Sequence, residues 1–389
     1  MTTPSNFSET GISIYATEPL ISASDMKYQW SLSQMISGYS HTLAANGGYK
    51  SASVSMNMRQ DEIEDWLEYG LGRNITVYNE GAVPIWEGFV NDLEANVGGL
   101  SVKRGPLMGI GNYVDIVYST VDTSVTPPAV GVRTNTGYAS DLVSQARYGI
   151  IAKILSCGGS TEANALNVRN TYLAEMAQPE TSQTITIGGG GNLDITLNCL
   201  GYDEWLRAYV YNNTAAGTTT VNARLQAVLT ADPNNVISAD YTKLSANTLS
   251  IPVYANDDEL ALDYINYLVT LGDAAYNRYT FGVYANQIAE YTVMPTREEY
   301  IWHLADGGML TNPYGGIIDP WNVLPARWVL IPDFMIGRVS PSAALRDDPR
   351  YLFIESLTFT APYGLTLTGS KISKMPQILG QLGLTGLGS

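Results

Sequence analysis

The chain has 389 residues, of which 15% are charged, and a formal net charge of −16 at pH 7. That length can hold two or three domains and a sizeable core, while the acidic balance argues against a protein built to grip phosphates through a basic patch. With 37 Gly, 26 Tyr and many Thr and Asn, the composition is that of a β-rich, loop-rich protein rather than a helical enzyme. Cys157 and Cys199 match no zinc spacing or disulfide framework and read as reduced thiols of an intracellular protein. Met1 to Ser13 is polar, unlike a leader peptide, and no apolar run approaches the roughly 18 residues needed to cross a bilayer. A protein made in the cytoplasm and remaining soluble is expected.

Residues 10–60 read as strands and tight turns. Ile12 and Ile14 alternate, Tyr28 to Ile36 places Tyr28, Trp30, Leu32 and Gln34 on one face, Asn46-Gly47-Gly48 marks a turn, and Tyr49 to Met58 alternates again. Asp61 to Leu67 opens with carboxylates suited to a helix N-terminus and carries Ile63, Trp66 and Leu67 at helical spacing, with Gly70 or Gly72 as the stop. Strand-like runs follow at Arg73–Tyr78, Ile85–Glu94, from Leu100, and at Tyr113–Tyr118. One short helix leading into an antiparallel meander predicts a small barrel or sandwich.

Thr120 to Thr136 has the composition of a linker. The spacing predicts helices over Asp141–Leu155 and Asn164–Met176, then a β-like run from Thr181 and a strand over Asp194–Asn198. A helix is expected from Gly201 to about Asn212, and two more over Val221–Leu229 and Leu260–Leu271, the last capped by Asp257-Asp258-Glu259. Asp203-Glu204-Trp205-Leu206 echoes Asp61 to Leu67 and hints at a duplication. Thr280 to Val293 alternates, Pro313 to Pro332 is a Pro/Gly/Trp-rich crossing, and Arg350–Thr360 with Leu365–Thr368 forms a final hairpin around Pro362-Tyr363-Gly364. Lys371 to Ser389 reads as an extended arm.

Chemistry is sparse. Gly188 to Gly191 lacks the Gly-Lys-Ser/Thr of a phosphate loop, and Gly109-Ile110-Gly111 lacks the rest of a dinucleotide fingerprint, so both read as turns. His41 and His303 are the only imidazoles; neither stands in a nucleophile–base pattern, and Cys157 lies in a Cys-Gly-Gly loop. Glu87, Asp92 and Glu355 are the carboxylates a glycosidase-type pair could draw on, although the apolar alternation around Glu355 suggests pairing with an arginine. No catalytic, cofactor-binding or metal-binding residue is assigned.

Two groups of residues suggest a family. One is Trp66-Leu67, Gly72-Arg73, Val77-Tyr78-Asn79 and Trp86-Glu87-Gly88-Phe89-Val90, closing with Val102 to Leu107 and Val117-Tyr118. The other is Trp328-Val329, Asp333-Phe334, Asp348-Pro349-Arg350 and Phe353 to Ser356. Over residues 10–370 the chain resembles the tail or baseplate hub proteins of tailed bacteriophages. The resemblance implies an α+β, β-rich fold of two small antiparallel tube-type β-barrels with an α/β middle region. The expected division is 1–122 for the first barrel with its short helix, 123–190 for a linker and inserted helical region, 191–371 for the second barrel with inserted helices, and 372–389 for the arm. It also implies a non-enzymatic homotrimer in the virion tail, joining a sixfold tail tube or distal tail ring protein to a threefold tip, spike or fibre. A tape-measure protein would be a further partner. DNA would pass through without specific binding, past a ring carrying about −48 (three copies at −16). The alternatives are a receptor- or glycan-binding tail-tip protein and a carboxylate-pair glycan hydrolase.

Overall fold

Small polar and apolar residues alternate along Gly47–Asn57, burying Ala52, Val54 and Met56 on one face and leaving Ser51, Ser53 and Ser55 half-exposed on the other. The same rule builds most of the chain in the computed structural model, which describes residues 12–19, 29–122, 129–187, 191–212, 217–253, 259–304, 306–332, 348–362, 364–369, 372 and 374–386. The first strands are β1 (Ile12–Thr17), β2 (Gln29–Ser31), β3 (Ile36–Ala44) and β4 (Gly47–Asn57). Tyr28 lies outside the described residues; the single run expected from it to Ile36 is instead β2, a turn closed by Met35 N–H to Leu32 O (2.9 Å), and the start of β3.

Helix α1 (Gln60–Tyr69) follows, with Asp61 and Glu62 in its first turn and Ile63 and Trp66 buried. Arg73 leaves the helix beneath its own C-terminus, over the Trp66 ring at 4.8 Å and bonded to Asp65 at 3.1 Å. Then come β5 (Asn74–Asn79), β6 (Pro84–Val97), β7 (Leu100–Arg104) and β8 (Tyr113–Asp122).

Much of the expected linker is strand. Ala129–Asn135 (β9) pairs antiparallel with β8, whose Asp115 side chain accepts from Thr136 N–H (3.1 Å) and Oγ1 (2.9 Å). After β10 (Ala139–Ser140), helix α2 is shorter than predicted, Leu142–Tyr148. Gly149 at φ 76° ends it, and Ile151 exchanges backbone and side-chain bonds with Asn112, so Ala152–Ser160 becomes β11, parallel to β8. Helix α3 (Glu162–Met176) packs on this small sheet, burying Ala165 against Val114, Ile116 and Tyr118.

Next are β12 (Thr181–Ile185) and β13 (Leu193–Gly201). The helix expected to Asn212 is only a 3-10 turn, Tyr202–Arg207, because the backbone beyond it is claimed by neighbours: Ala208 O accepts from Ala152 N–H (2.7 Å) and Tyr211 N–H donates to Glu259 O (2.9 Å). This turn and α1 are therefore different structures despite their shared letters. β14 (Gly217–Thr220), α4 (Val221–Thr230), β15 (Ser250–Val253) and α5 (Ala261–Leu271) complete the middle; Asp257 and Asp258 lie outside the described residues.

The last third holds the hairpin β16 (Tyr279–Val283) and β17 (Ala289–Val293), then β18 (Glu298–His303), β19 (Met309–Thr311), β20 (Trp328–Leu330), β21 (Tyr351–Thr360) and β22 (Gly364–Gly369). The expected extended arm is instead helix α6 (Met375–Gly386), docked on α5 where Gln381 Nε2 donates to Leu271 O (2.7 Å) and Asp273 O (2.8 Å).

The fold is α+β and β-rich, dominated by one curled, mixed half-barrel sheet. Its order is β19-β18-β20-β21-β3-β4-β13-β6-β5-β1-β2, with β7 and β12 branching from β6, β22 from β21, and the β16–β17 hairpin meeting β4. β13 pairs with both β4 and β6, so the sheet runs across the division expected at 190/191, and parallel pairs (β16 with β4, β18 with β20) replace a wholly antiparallel arrangement. Close approach at the crossing of β4, β6, β13 and β16 depends on missing side chains. A Cβ on Gly201 would lie 1.6 Å from Tyr49 O, and one on Gly88 2.1 Å from Leu200 O.

Candidate functional site

The large sheet exposes one face over eight consecutive strands, β22-β21-β3-β4-β13-β6-β7-β12. Registry places its outward residues in rows across the strands. One row runs Thr366, Thr358, Thr42, Ser51; a second Thr360, Ser40, Ser53, Asn198, Asp92; a third Ser55, Thr196, Glu94, Lys103, Ser182; a fourth Asn57, Asp194, Asn96, Ser101, Thr184. These side chains bond across strands: Thr42 to Thr358 (3.2 Å), Ser55 to Thr196 (3.1 Å), Asn96 to Asp194 (2.8 Å) and Asn198 to Asp92 (2.7 Å). The rows carry three carboxylates, Asp92, Glu94 and Asp194, against one ammonium, Lys103. Short hydroxyls and amides that satisfy one another make a wall polar enough for water and poor in groups that would hold an anion.

Near the bulges of β3, β4 and β13 this face dips into a hollow of about 230 Å³ lined by Ser40, Thr42, Ser51, Ser53, Asp92 and Asn198. His41 and Cys199 lie buried beneath it. His41 and Cys199 both pair with Ala52 in β4, which sets them two strand spacings apart, about 10 Å, too far to act as a nucleophile and its base. His41 Nδ1 meets Tyr39 OH at 2.8 Å, burial lowers its imidazole to about 3, and burial raises the Cys199 thiol well above the usual range. Cys157, half-buried, lies in β11 rather than in a loop, and both thiols are free. His303 Nε2 meets Thr311 Oγ1 at 3.0 Å.

The three carboxylates considered from sequence are not brought together. Asp92 accepts from Asn91 (3.1 Å) and Asn198 on the polar face. Glu355 is gripped by Arg278 through bonds of 2.6 and 2.8 Å, the pairing its setting suggested. Glu87 is buried and accepts from Asn286 N–H (2.7 Å) and Gln287 Nε2 (2.5 Å); burial raises its carboxyl above the ordinary value even against those bonds. Gly188–Gly190 lie outside the described residues, Gly191 packs against Gly98 and Gly99, Gly109 ends a 3-10 turn (Leu107–Gly109), and Gly111 N–H bonds Met176 O at 2.9 Å.

Sequence reasoning missed the ion cluster at the border of the polar face. Lys50 Nζ reaches Asp203 Oδ2 (2.5 Å) and Glu204 Oε1 (2.7 Å), and Arg207 holds the other Glu204 oxygen at 2.8 Å. Asp203 is fully buried; burial pushes its carboxyl up to about 7 although Lys50 pulls the other way. Burial alone would lower Lys50, but Asp203 and Glu204 outweigh it and raise the ammonium. The signal in the sequence was weak, a lysine between Tyr49 and Ser51 and an Asp-Glu 153 positions later.

His41 and Asp203 respond to acid in opposite senses. The unfolded chain takes up a proton at His41 below about 6.5, whereas the folded chain resists until about 3, so stability falls as pH drops through that window. Asp203, with its folded value near 7 against 3.8, gains stability over the unfolded chain as pH drops from 7 toward 4 and loses it as pH rises. In His41→Gln the first effect is gone, so urea melts of this variant should show stability rising between pH 7 and 5 relative to wild type, by about 1 kcal/mol per pH unit below 6.5. Parallel pH profiles for the two proteins would refute the assignment.

No protein-family model and no curated protein matches this chain.

Proposed function

We propose that the chain is a non-enzymatic structural subunit of a bacteriophage tail hub, a homotrimer whose axial wall is the polar face described above. The observation that carries this reading is the continuity of that face across eight strands, together with the position of its two outermost strands. Among the described residues β12 pairs only with β7 and β22 only with β21, so each has an outer edge turned away from the sheet. All five residues of β12 are exposed. Edge strands of this kind are templates for pairing with another chain, and head-to-tail contacts between them close into a ring when the rotation permits. In this reading the curl around β1–β7 and β13 supplies one barrel, strands β16–β22 supply the second, and the ring joins a sixfold tube to a threefold tip. The acidic balance and hydroxyl rows let DNA slide past without phosphate contacts that would arrest it.

Light scattering on the purified chain should return three times its 42.2 kDa, and negative-stain averages should show a ring with an axial hole. Lysines at Gln183 and Ile185 on β12 should reduce it to a folded monomer with an unchanged circular-dichroism spectrum. A wild type that remains monomeric at high concentration, or a lysine variant that still trimerises, would count against the hub.

A further inference from the structure

A cavity of about 310 Å³ lies away from the polar face, where the β16–β17 hairpin meets the segment before β20. Its floor is the hairpin: Thr280 on β16 and Tyr284 just beyond it, Glu290 and Thr292 on β17. Gly282 stands directly across from Glu290, so no side chain fills the space beside that carboxylate. Trp321, Asn322, Leu324 and Pro325 form the facing wall, and Lys243 and Arg327 stand at its rim.

The rim is held in an unusual conformation. Six non-glycine residues among those described have positive φ; Ala326 lines this cavity, and Ala82, Asn286 and Gln287 directly adjoin the lining residues Val83, Ala285 and Ile288 in the chain. Such strain persists only where surrounding structure enforces it, and it gathers at ligand sites. Here the enforcing contacts are visible. Glu87 reaches across from β6 to hold the Asn286–Gln287 turn. Asn79 ties the other two rims together, accepting from Val83 N–H (3.0 Å) and donating to Asn322 (3.0 Å). A cavity whose walls are fixed in advance loses little entropy when a ligand enters.

We propose that this cavity binds a neutral sugar, one or two pyranose units at the end of a glycan. Its volume sits at the small end of ligand pockets. Apolar and aromatic surface from Ile85, Tyr284, Trp321 and Pro325 alternates with directional groups from Thr280, Glu290, Thr292 and Asn322. A pyranose has that same alternation, with apolar C–H faces and a girdle of hydroxyls. Charge points to a neutral ligand. Arg327 is already paired with Glu299 at 2.7 Å, which leaves the lining one charge of each sign, Glu290 and Lys243. The proposal concerns a different surface from the polar wall and stands or falls independently of the trimer.

The test is saturation-transfer NMR and calorimetry on the full chain with N,N′-diacetylchitobiose, maltose and lactose, and with glucuronate as an anionic control. Saturable binding of at least one neutral disaccharide is expected, weakened about tenfold or more in Glu290→Gln, which keeps shape and loses the charged acceptor. Trp321→Ala should weaken it as well, and Lys103→Ser on the polar face should leave it unchanged. Because Trp321 also packs edge-on against Phe359 at 6.2 Å, the glutamine variant is the decisive one. No binding by any of the three disaccharides, binding that Glu290→Gln leaves intact, or a preference for glucuronate would each overturn the assignment.

Discussion

Gly201→Ala is expected to abolish folding. The added methyl would sit 1.6 Å from Tyr49 O and 2.5 Å from Tyr49 C, both backbone atoms of β4, so neither can turn aside as a side chain would. Relief requires separating β13 from β4 at the point where β6 also crosses, since Gly201 faces Gly88 in the adjacent pair. Overpacking of a side-chain core typically costs about 1–3 kcal/mol, and a clash against fixed backbone at the junction of three strands exceeds that range. The variant should accumulate as insoluble protein, or melt far below wild type by circular dichroism. Gly98→Ala supplies the contrast. Its methyl would meet nothing within 4 Å, and the residual penalty is the left-handed φ of 59°, about 1–2 kcal/mol. Comparable stability of the two variants would show that the β4–β13 contact is looser than described.

Lys50→Met should be the most damaging change among the charged residues. It leaves Asp203 buried with Glu204 beside it and no cation on the β4 side. Removing one partner of a buried pair costs about 3–5 kcal/mol, because the remaining charge is uncompensated. Urea melts at pH 7.5 should show that loss. Lowering the pH to 5 should recover much of it, since without Lys50 the Asp203 carboxyl rises further and becomes neutral across that range. The double variant Lys50→Met/Asp203→Leu should be closer to wild type than Lys50→Met alone. A loss below about 1 kcal/mol, or one unaffected by pH, would mean the pair is effectively solvated.

The sequence made some of this legible. Alternation located most of β4, β6 and the β21–β22 hairpin, the carboxylate-rich start located α1, and composition pointed to a β-rich, loop-rich chain. The polar face also left a trace, since Ser51, Ser53 and Ser55 and Thr358 and Thr360 repeat with period two. What alternation does not encode is which strand lies beside which. The insertion of β13 between β4 and β6 is a long-range choice, and with it go the cross-strand rows, the Gly201 contact and the Lys50–Asp203 pair. Local rules misled where tertiary partners took the backbone first. Ile150, Ile151 and Ile154 fit a helical stripe, yet β8 offers the backbone of Ala152 onward a complete ladder. The arm from Lys371 was too poor in charge and too rich in glycine to suggest a helix, and α6 forms against α5. Glu87 reads in the sequence as a carboxylate a glycosidase-type pair could draw on, because the turn it holds lies 199 residues away.

The pairing of β3 with β21 has a consequence for synthesis. Thr42 and Thr358, bonded neighbours on the polar face, are separated by 316 residues, so at about 5–20 residues per second the edge of β3 waits roughly 15–60 s on the ribosome for its partner. Through that interval the nascent half-sheet offers an unsatisfied edge to every neighbouring polysome. The serines and threonines along it give water good hydrogen-bonding company while it waits, and so slow the sticking of one unfinished chain to the next.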